Sequence, residues 1–202
     1  MPEESEVLVN DLRIRVERLE LLLMIGRMMH ATSDQEELIN NIAMAVGHYL
    51  EADRCSIFFH DKITDELYTH LAVRTDGQVD EAILSLEGQQ IRMKSTDGIA
   101  GRVFQSSELV NVRDAREDEH FNQGIDKKTG YETRSILCIP LKNRRGANIG
   151  VLQLLNKQIK PHYFTSDDEI FVGELIEQIG DLMELILKRD ELEQRNTRLE
   201  LQ

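Results

Sequence analysis

The chain has 202 residues, 41% of them apolar, which is enough for the core of one domain of ordinary size with extensions. Its formal charge of -13 argues against a nucleic-acid surface, because phosphate binding needs a clustered positive field. No apolar run approaches the roughly 18 residues that span a bilayer, and the acidic start lacks a signal-peptide pattern, so we expect a cytoplasmic protein without membrane contact.

The first predicted element is an amphipathic helix over residues 6–30, within an N-terminal region that we bound at 1–32. Its apolar residues recur every three or four positions, as one face of a helix requires; they are Val9, Leu12, Val16, Leu19, Leu23 and Met28. Thr32, Ser33 and Asp34 interrupt this pattern and can cap a second helix, which begins with acidic residues. The buried face of that second helix is predicted at Leu38, Ile42, Ala45, Val46 and Tyr49.

Strand patterns dominate the middle of the chain. Short apolar or alternating runs predict strands at residues 54–60, 66–73, 91–93, 109–112, 134–141 and 147–156. The polar stretch 74–90, which contains Gly77 and Gly88, is expected to be a mobile hairpin or crossover. A short helix is predicted over residues 98–106, with Asp97 as its cap.

Residues 113–132 are predicted to form a charged loop with one helical turn. This loop is longer than the usual connection of about 4–6 residues, which favours a functional lid over a plain connection.

From Ser166 onward the pattern predicts one long helix, and we separate its charged end, 188–202, as a helical or coiled-coil extension. Leu192 and Leu199 lie seven residues apart there, which suits one seam position of a coiled coil. Together with the N-terminal helix, this pattern favours a homodimer in which the terminal helices pack against each other and against a second subunit. The alternative is that both helices only cover one face of their own sheet.

The cysteines and histidines give no support to a metal site or a nucleophile. Cys55 and Cys138 lie inside apolar strand patterns, where a buried thiol is the default interpretation. The six histidines lack the spacing that would place two ligands on one helix face, so structural or surface roles are expected for His30, His48, His60, His70, His120 and His162. We therefore predict no catalytic residue, no metal and no cofactor.

The end of the last strand and the start of the last helix can form a charged pair. Lys157 ends the strand, and Thr165 or Ser166 can cap a helix whose first turn, 167–169, is acidic. A lysine paired with a carboxylate of that turn would tie the sheet edge to the helix, and it would matter most where water is partly excluded. The alternative is an ordinary strand-to-helix connection with solvated charges.

Several segments occur in an order that resembles one known family. They are residues 53–59, 98–103, 121–141 and 149–157, followed by a set of five: Asn156, Lys157, Phe164, Asp168 and Glu169. Over about residues 38–186 the chain resembles cyclic-nucleotide-binding GAF domains of phosphodiesterases and some bacterial adenylate cyclases. The resemblance implies an α+β GAF domain at 33–187, with a central antiparallel six-stranded sheet flanked by helices and long N- and C-terminal helices. It also implies a structural role for the set of five.

The resemblance implies a cyclic nucleotide as the regulatory ligand. Its phosphate would meet backbone N–H groups of Ile99 and Ala100 at a helix start and of the turn around Asn122. Thr129 and Thr133 match the two pocket threonines of the family, and they would face the same side if their block forms a helical turn. Asp126 matches the lid carboxylate, although a solvated charge beside Lys127 and Lys128 is an equal alternative.

The purine would lie on the sheet. Ser56 matches a family position near the base, and Gln153 falls where some members carry Glu; its amide can donate and accept, so it suits either purine edge. Ala72, Val73 and Arg74 correspond to the base-reading strand end, where guanine-binding members carry an aromatic residue and an Asp. This departure favours cAMP over cGMP, with Arg74 donating to adenine acceptors, whereas an exposed Arg74 would do nothing.

We therefore expect a regulatory domain, not an enzyme. It would bind a cyclic nucleotide, close residues 113–132 over it, and shift the terminal helices, which pass the change to a partner or an attached output domain. A ligand-free dimerisation module is the first alternative. The second is an enzyme that resembles the free methionine sulfoxide reductases of this fold, which work through nearby cysteines; two cysteines in apolar strands argue against it.

Overall fold

The computed structural model describes residues 2–31, 35–69, 72–74 and 91–200, and within these it leaves some side chains undescribed. Its helices are α1 (Pro2–Ala31), α2 (Gln35–Tyr49), α3 (Gly98–Ser106), α4 (Gly124–Thr129) and α5 (Ser166–Glu200), with a 3-10 turn at Ala115–Glu117. Its strands are β1 (Ala52–Asp61), β2 (Glu66–Thr69), β3 (Ala72–Arg74), β4 (Ile91–Lys94), β5 (Val110–Val112), β6 (Ile136–Lys142) and β7 (Asn148–Lys157).

Some predictions fall outside this description. They concern the cap at residues 32–34 and the segment 75–90. The side chains of Ala72, Val73, Arg74 and Thr129 also lie outside it, as do those of Leu192 and Leu199.

The strands form one antiparallel sheet in the order β4-β2-β1-β7-β6-β5. The strand β3 pairs with residues 54–56 of β1, whereas β2 pairs with residues 59–61 of the same strand. Because β7 occupies the other edge of β1, β2 and β3 lie end to end and the sheet is six strands wide. The predicted α+β architecture is confirmed, but the single strand predicted at 66–73 is wrong, since its two parts form separate ladders on β1.

The two faces of the sheet are covered by apolar cores of different size. Alternate residues of each strand point to opposite faces. One face packs against α2 and α5 in the larger core, whose fully buried members include Ile42, Val46, Ile57, Leu152 and Ile179. The other face packs against α3 in a smaller core that includes Phe58, Ile99, Val103, Cys138 and Val151. The core on the second face therefore has fewer buried apolar residues than the core on the first.

Both cysteines are buried, as predicted, and they lie on opposite faces. Cys55 belongs to the larger core and Cys138 to the smaller one. Burial raises the pKa of both thiols far above their ordinary range. Because the sheet separates them, these two thiols cannot form a disulfide with each other.

The helix α1 has two apolar sides. Leu21 and Ile25 are buried in the larger core, and the hydroxyl of Tyr49 donates to Glu17 at 3.1 Å. On the other side, a row of large apolar residues is more than half exposed: Val9, Leu12, Val16, Leu19 and Leu23. Among the described side chains of α1, those that contact the domain thus lie on one side of the helix.

Candidate ligand-binding site

The floor of the candidate site is a row of residues across the sheet. Ser56 on β1 lies opposite Ala72 on β3 and opposite Gln153 on β7, and Gln153 lies opposite Cys138 on β6. Directly opposite residues of antiparallel strands share one face, and Cys138 places this row on the α3 face. Ser56 is buried and Gln153 is half-buried. Three of the positions that the family resemblance assigns to the base, Ser56, Ala72 and Gln153, therefore lie side by side.

The helix α3 packs on this face of the sheet, and its first turn carries backbone N–H groups that no helical carbonyl accepts. Its first intrahelical hydrogen bond runs from Gly101 N to Asp97 O at 3.0 Å, so the N–H groups of Gly98, Ile99 and Ala100 have no acceptor within the helix. Asp97 occupies the cap position, but its carboxylate makes no capping hydrogen bond. Asp97 therefore occupies the predicted cap position, but its carboxylate accepts no hydrogen bond from the N–H groups of the first turn.

The loop that was predicted as a lid contacts the start of α3. Gly98 has a φ of +65°, and a Cβ built there would lie 3.8 Å from Cβ of Asn122 and 4.0 Å from the carbonyl oxygen of His120. Asn122 Oδ1 accepts a hydrogen bond from Gly124 N at 2.8 Å, which fixes the entry into α4. The turn around Asn122 thus adjoins the helix start that contains Ile99 and Ala100.

Asp126 of α4 holds Thr133. Its two carboxylate oxygens accept from the Thr133 backbone N at 2.8 Å and from the Thr133 hydroxyl at 2.9 Å. Thr133 is only 3% exposed. Asp126 is thus a partly exposed carboxylate with an internal hydrogen-bond partner, and its role towards a ligand stays a prediction.

The threonine pair is not arranged as predicted. The helix α4 ends at Thr129, because Gly130 adopts a left-handed conformation with φ 69° and donates its N–H to Asp126 O. Thr133 follows in a segment without regular secondary structure, so the helical turn that would align the two threonines is wrong. A glycine in this position is the common signal for a helix end.

Asn156 fixes the last part of the loop, residues 131–135. Its Nδ2 donates to Tyr131 Oη and to Glu132 O, each at 2.8 Å. Its Oδ1 accepts from Arg134 N at 2.7 Å and from Ser135 N at 3.2 Å. Asn156 itself has a φ of 55°, a conformation that asparagine tolerates better than most residues. One buried amide therefore satisfies four partners and sets the path of this segment.

Sequence reasoning missed Tyr131, which connects the loop to β1. Its hydroxyl donates to Asp53 Oδ2 at 2.7 Å, and the Arg54 guanidinium carbon lies 3.4 Å from the centre of its ring. Burial and the hydrogen bond to Asp53 raise the pKa of Tyr131 well above its ordinary value. Arg54 is two residues before Ser56 on β1 and shares its face. The alternation of side chains along β1 is the sequence signal that could have placed Arg54 beside the candidate site.

The charged pair predicted between strand end and helix start forms. Lys157 Nζ donates to Asp168 Oδ1 at 2.9 Å, and it lies 3.6 Å from Glu51 Oε2. The Lys157 side chain is 7% exposed. Asp168 Oδ2 also accepts from Thr165 N and Oγ1, and its own N–H donates to Thr165 Oγ1, which is the reciprocal arrangement of a capping box. We call the Lys157–Asp168 pair the clasp.

The other two members of the set of five pack beside the clasp. Phe164 is fully buried, and its ring centre lies 6.0 Å from Lys157 Nζ. Asn111 Nδ2 on β5 donates to Phe164 O at 2.8 Å and to Glu169 Oε1 at 2.6 Å. Asn111 was also missed, because it lies more than 50 residues from both partners in the sequence.

Comparison with known proteins places the chain in a family. The family model of the GAF domain matches residues 34–182. The chain is 35% identical over 150 residues to a probable 3',5'-cyclic phosphodiesterase, pde-5, of Caenorhabditis elegans. It is 36% identical over 137 residues to the dual 3',5'-cyclic-AMP and -GMP phosphodiesterase 11A of Takifugu rubripes. These alignments cover 73% and 67% of the chain, but only 20% and 15% of the two relatives.

Solved structures show the same fold. The GAF domain of a phosphoenolpyruvate-protein phosphotransferase from Coxiella burnetii matches with a TM-score of 0.69 at 21% identity, over 87% of this chain and 98% of that one. A free methionine-R-sulfoxide reductase from Neisseria meningitidis matches with a TM-score of 0.63 at 18% identity, over 86% and 91%. Among the helices in the described part of the chain, none has the length and apolar character needed to cross a membrane.

Proposed function

The chain belongs to the GAF domain family, and on this premise we propose that it is a regulatory sensor domain that binds a cyclic nucleotide. The observation that carries the proposal is the contact between the uncovered start of α3 and the loop at Asn122, a loop whose Asp126 holds Thr133. The Ser56–Gln153 row lies on the face of the sheet that α3 covers. The two phosphodiesterase relatives, one of them named for cyclic AMP and cyclic GMP, support the ligand class.

The phosphate of the nucleotide would bind at the start of α3. Backbone N–H groups at a helix start, together with the helix dipole, favour an anion. The N–H groups of Ile99 and Ala100 are suited to this role, and the turn around Asn122 would close over the phosphate. Such local donors are needed because the chain as a whole carries a formal charge of -13.

The ribose and base would lie between the loop and the sheet. Thr133 and Thr129 would supply hydroxyls, with Asp126 orienting Thr133, and Ser56 and Gln153 would contact the base. The backbone of Arg74 pairs with Arg54 on β1, in the register beside the base row. We propose cAMP as the preferred ligand because Arg74 can donate to adenine acceptors, whereas the amide of Gln153 suits either purine.

Signalling would proceed from the loop to the terminal helices of a dimer. Asn156 binds the end of the loop, and its neighbour Lys157 binds the start of α5. A ligand that orders residues 131–135 would therefore bias the position of α5 through two adjacent residues. The size of the response is limited by the difference in ligand affinity between the two states.

Two other functions compete with this proposal. A ligand-free dimerisation module is favoured by the exposed apolar row on α1 and by the fact that Thr133 and Asp126 already satisfy each other. An enzyme of the methionine sulfoxide reductase kind is disfavoured, because Cys55 and Cys138 are buried on opposite faces of the sheet. We therefore propose that the domain itself is not catalytic.

Calorimetric titration with cAMP and with cGMP tests the proposal, after denaturation and chromatography have excluded nucleotide already bound. We expect saturable binding, tighter for cAMP. Thr133→Val should weaken binding about tenfold, the effect of losing one hydrogen bond of roughly 1.4 kcal/mol. The control is Thr64→Val in the exposed turn between β1 and β2, which should bind as the wild type does. A folded, empty protein that binds neither nucleotide would favour the dimerisation module.

A further inference from the structure

Four polar side chains outside the candidate site meet where the turn between β1 and β2 contacts the segment before α3. Asp65 Oδ1 accepts a hydrogen bond from Ser95 Oγ at 2.9 Å, and it lies 3.0 Å from His60 Nε2. On the other side of Ser95, Gln105 Nε2 donates to Ser95 O and to Ser95 Oγ, both at 3.2 Å. We call these four residues the turn cluster.

The charge of Asp65 decides where the proton of His60 lies. Hydrogen bonds from His60, first, and from Ser95 lower the pKa of Asp65, so this carboxyl is ionised at neutral pH. Because an ionised carboxylate only accepts hydrogen bonds, His60 must carry a proton on Nε2. The His60 side chain is 16% exposed, and its ring lies 4.4 Å from the ring of Phe104 on α3. His60 therefore contacts both the turn and the helix.

The turn cluster extends the pairing of the edge strand β4. This strand pairs with β2 up to the register pair Glu66 and Lys94. One residue further, Ser95 N donates to Asp65 O at 3.1 Å, and Asp65 adopts a left-handed φ of 54°. Ser95 is 1% exposed. Backbone and side-chain hydrogen bonds therefore hold the chain at the point where it leaves the sheet.

The segment after Ser95 leads directly into the first turn of α3. Two residues, Thr96 and Asp97, separate Ser95 from the first residue of the helix. A Cβ built on Gly101 would meet the backbone of Thr96, so this segment packs against the helix that follows it. The position of Ser95 therefore sets the position of the N–H groups in the first turn of α3.

A role confined to the turn between β1 and β2 would not need these contacts. Another carboxylate already shapes that turn, because Asp61 Oδ1 accepts from Ile63 N at 2.9 Å and from Thr64 N at 3.3 Å. The carboxylate of Asp65 instead binds Ser95, 30 residues away in the sequence. The turn cluster thus connects the turn to α3.

We propose that the turn cluster holds the start of α3 in the position in which it binds the phosphate of the nucleotide, and that His60 is a positioning residue. The inference deepens the proposed function and rests on its placement of the phosphate at α3. Donors that are already in place bind an anion more tightly than donors that must first be ordered. His60 acts through Asp65 and Ser95 and needs no contact with the ligand.

Calorimetric titration of the full chain with cAMP, and with adenosine, which lacks the phosphate, tests the proposal. His60→Leu removes the donor and keeps an apolar contact with Phe104; it should bind cAMP about tenfold more weakly and adenosine as the wild type does. His60→Gln keeps an N–H donor and should restore most of the affinity. His48→Leu is the matched control, because His48 is exposed on α2, which packs on the other face of the sheet.

Hydrogen exchange measures the same effect without ligand. In His60→Leu the amide of Gly101, which bonds Asp97 O, should exchange faster, whereas the amides of β6 should exchange as in the wild type. Unchanged cAMP affinity, an equal loss for cAMP and adenosine, or binding by His60→Gln as weak as by His60→Leu would each overturn the proposal. If the wild type binds no nucleotide, the proposed function fails, and exchange at Gly101 alone decides whether the turn cluster holds the helix start.

Discussion

Tyr131 shows how one side chain can hold a loop against a sheet. It donates to Asp53, accepts from Asn156 and stacks beneath Arg54. An aromatic ring under a guanidinium contributes about 0.5 to 2 kcal/mol, more when water is excluded. The loop end is therefore fixed by contacts to residues that lie far from it in the sequence.

The raised pKa of Tyr131 predicts a pH dependence of stability. In the unfolded chain the phenol loses its proton near pH 10, whereas burial and Asp53 raise the pKa in the folded protein. Above about pH 10 the unfolded state binds fewer protons than the folded state, so the free energy of unfolding falls as the pH rises. Below that pH the contribution is fully present.

Urea unfolding of the wild type and Tyr131→Phe at pH 8 and at pH 10.5 would measure this effect. We expect the wild type to lose more stability between the two pH values than the variant does. Tyr163→Phe serves as the control, since that ring lies beneath Arg113 at the surface. Equal losses in the wild type and Tyr131→Phe would mean that Tyr131 is not held as a buried phenol.

At the scale of the elements, the clasp joins β7 to α5. Lys157 is 7% exposed and Asp168 is 13% exposed, so water screens the pair only weakly. The Arg144–Asp181 pair offers a contrast, because Arg144 is 80% exposed although its Nε lies 2.7 Å from Asp181. The N–O distances of the two pairs are similar, at 2.9 Å and 2.7 Å, but the side chains of the clasp are far less exposed to water.

A double-mutant cycle measures the clasp. Asp168→Asn should cost about 3 kcal/mol, because it leaves the buried ammonium with only the more exposed carboxylate of Glu51, 3.6 Å away, as a counter-charge. Lys157→Met combined with Asp168→Asn should cost less than the sum of the single variants. Arg144→Met should cost under about 1 kcal/mol, as exposed pairs do. Additive effects of the two clasp variants in urea unfolding would show that the pair contributes nothing as a pair.

The sequence predicted the elements better than their mutual contacts. The bounds of α3 match the prediction, and β6 and β7 lie within two residues of it, because apolar period and glycine positions are local signals. The Thr129–Thr133 turn failed, although Gly130 carried the signal of a helix end. The Tyr131–Asp53 bond could not be predicted, since 78 residues separate its partners.

On the scale of the whole molecule, the described structure combines a GAF fold with two long helices, α1 and α5, that extend from it. An α-helix rises about 1.5 Å per residue, so the 30-residue α1 extends well beyond its contact at Leu21 and Ile25. The boundary predicted at residue 187 falls inside the continuous helix α5. The extension is thus continuous with the helix that begins at the clasp.

Ligand binding should stabilise the whole fold. At a cAMP concentration one hundred times its dissociation constant, the free energy of unfolding should rise by about 2.7 kcal/mol. For a chain of this size that corresponds to a rise in melting temperature of roughly 5 to 10 °C. Thermal unfolding followed by circular dichroism, with AMP as the control ligand, would measure it. No shift at saturating cAMP would contradict nucleotide binding.

Asn156 and Lys157 also connect the loop to α5 through polar contacts. The one contacts the loop through an amide, and the other contacts the helix start through an ammonium. Under the proposed function, changes to the core packing can accumulate without altering these contacts, and changes to these two residues can alter the ligand response without rebuilding the core. Ligand response and folding would then be adjustable by separate sets of mutations.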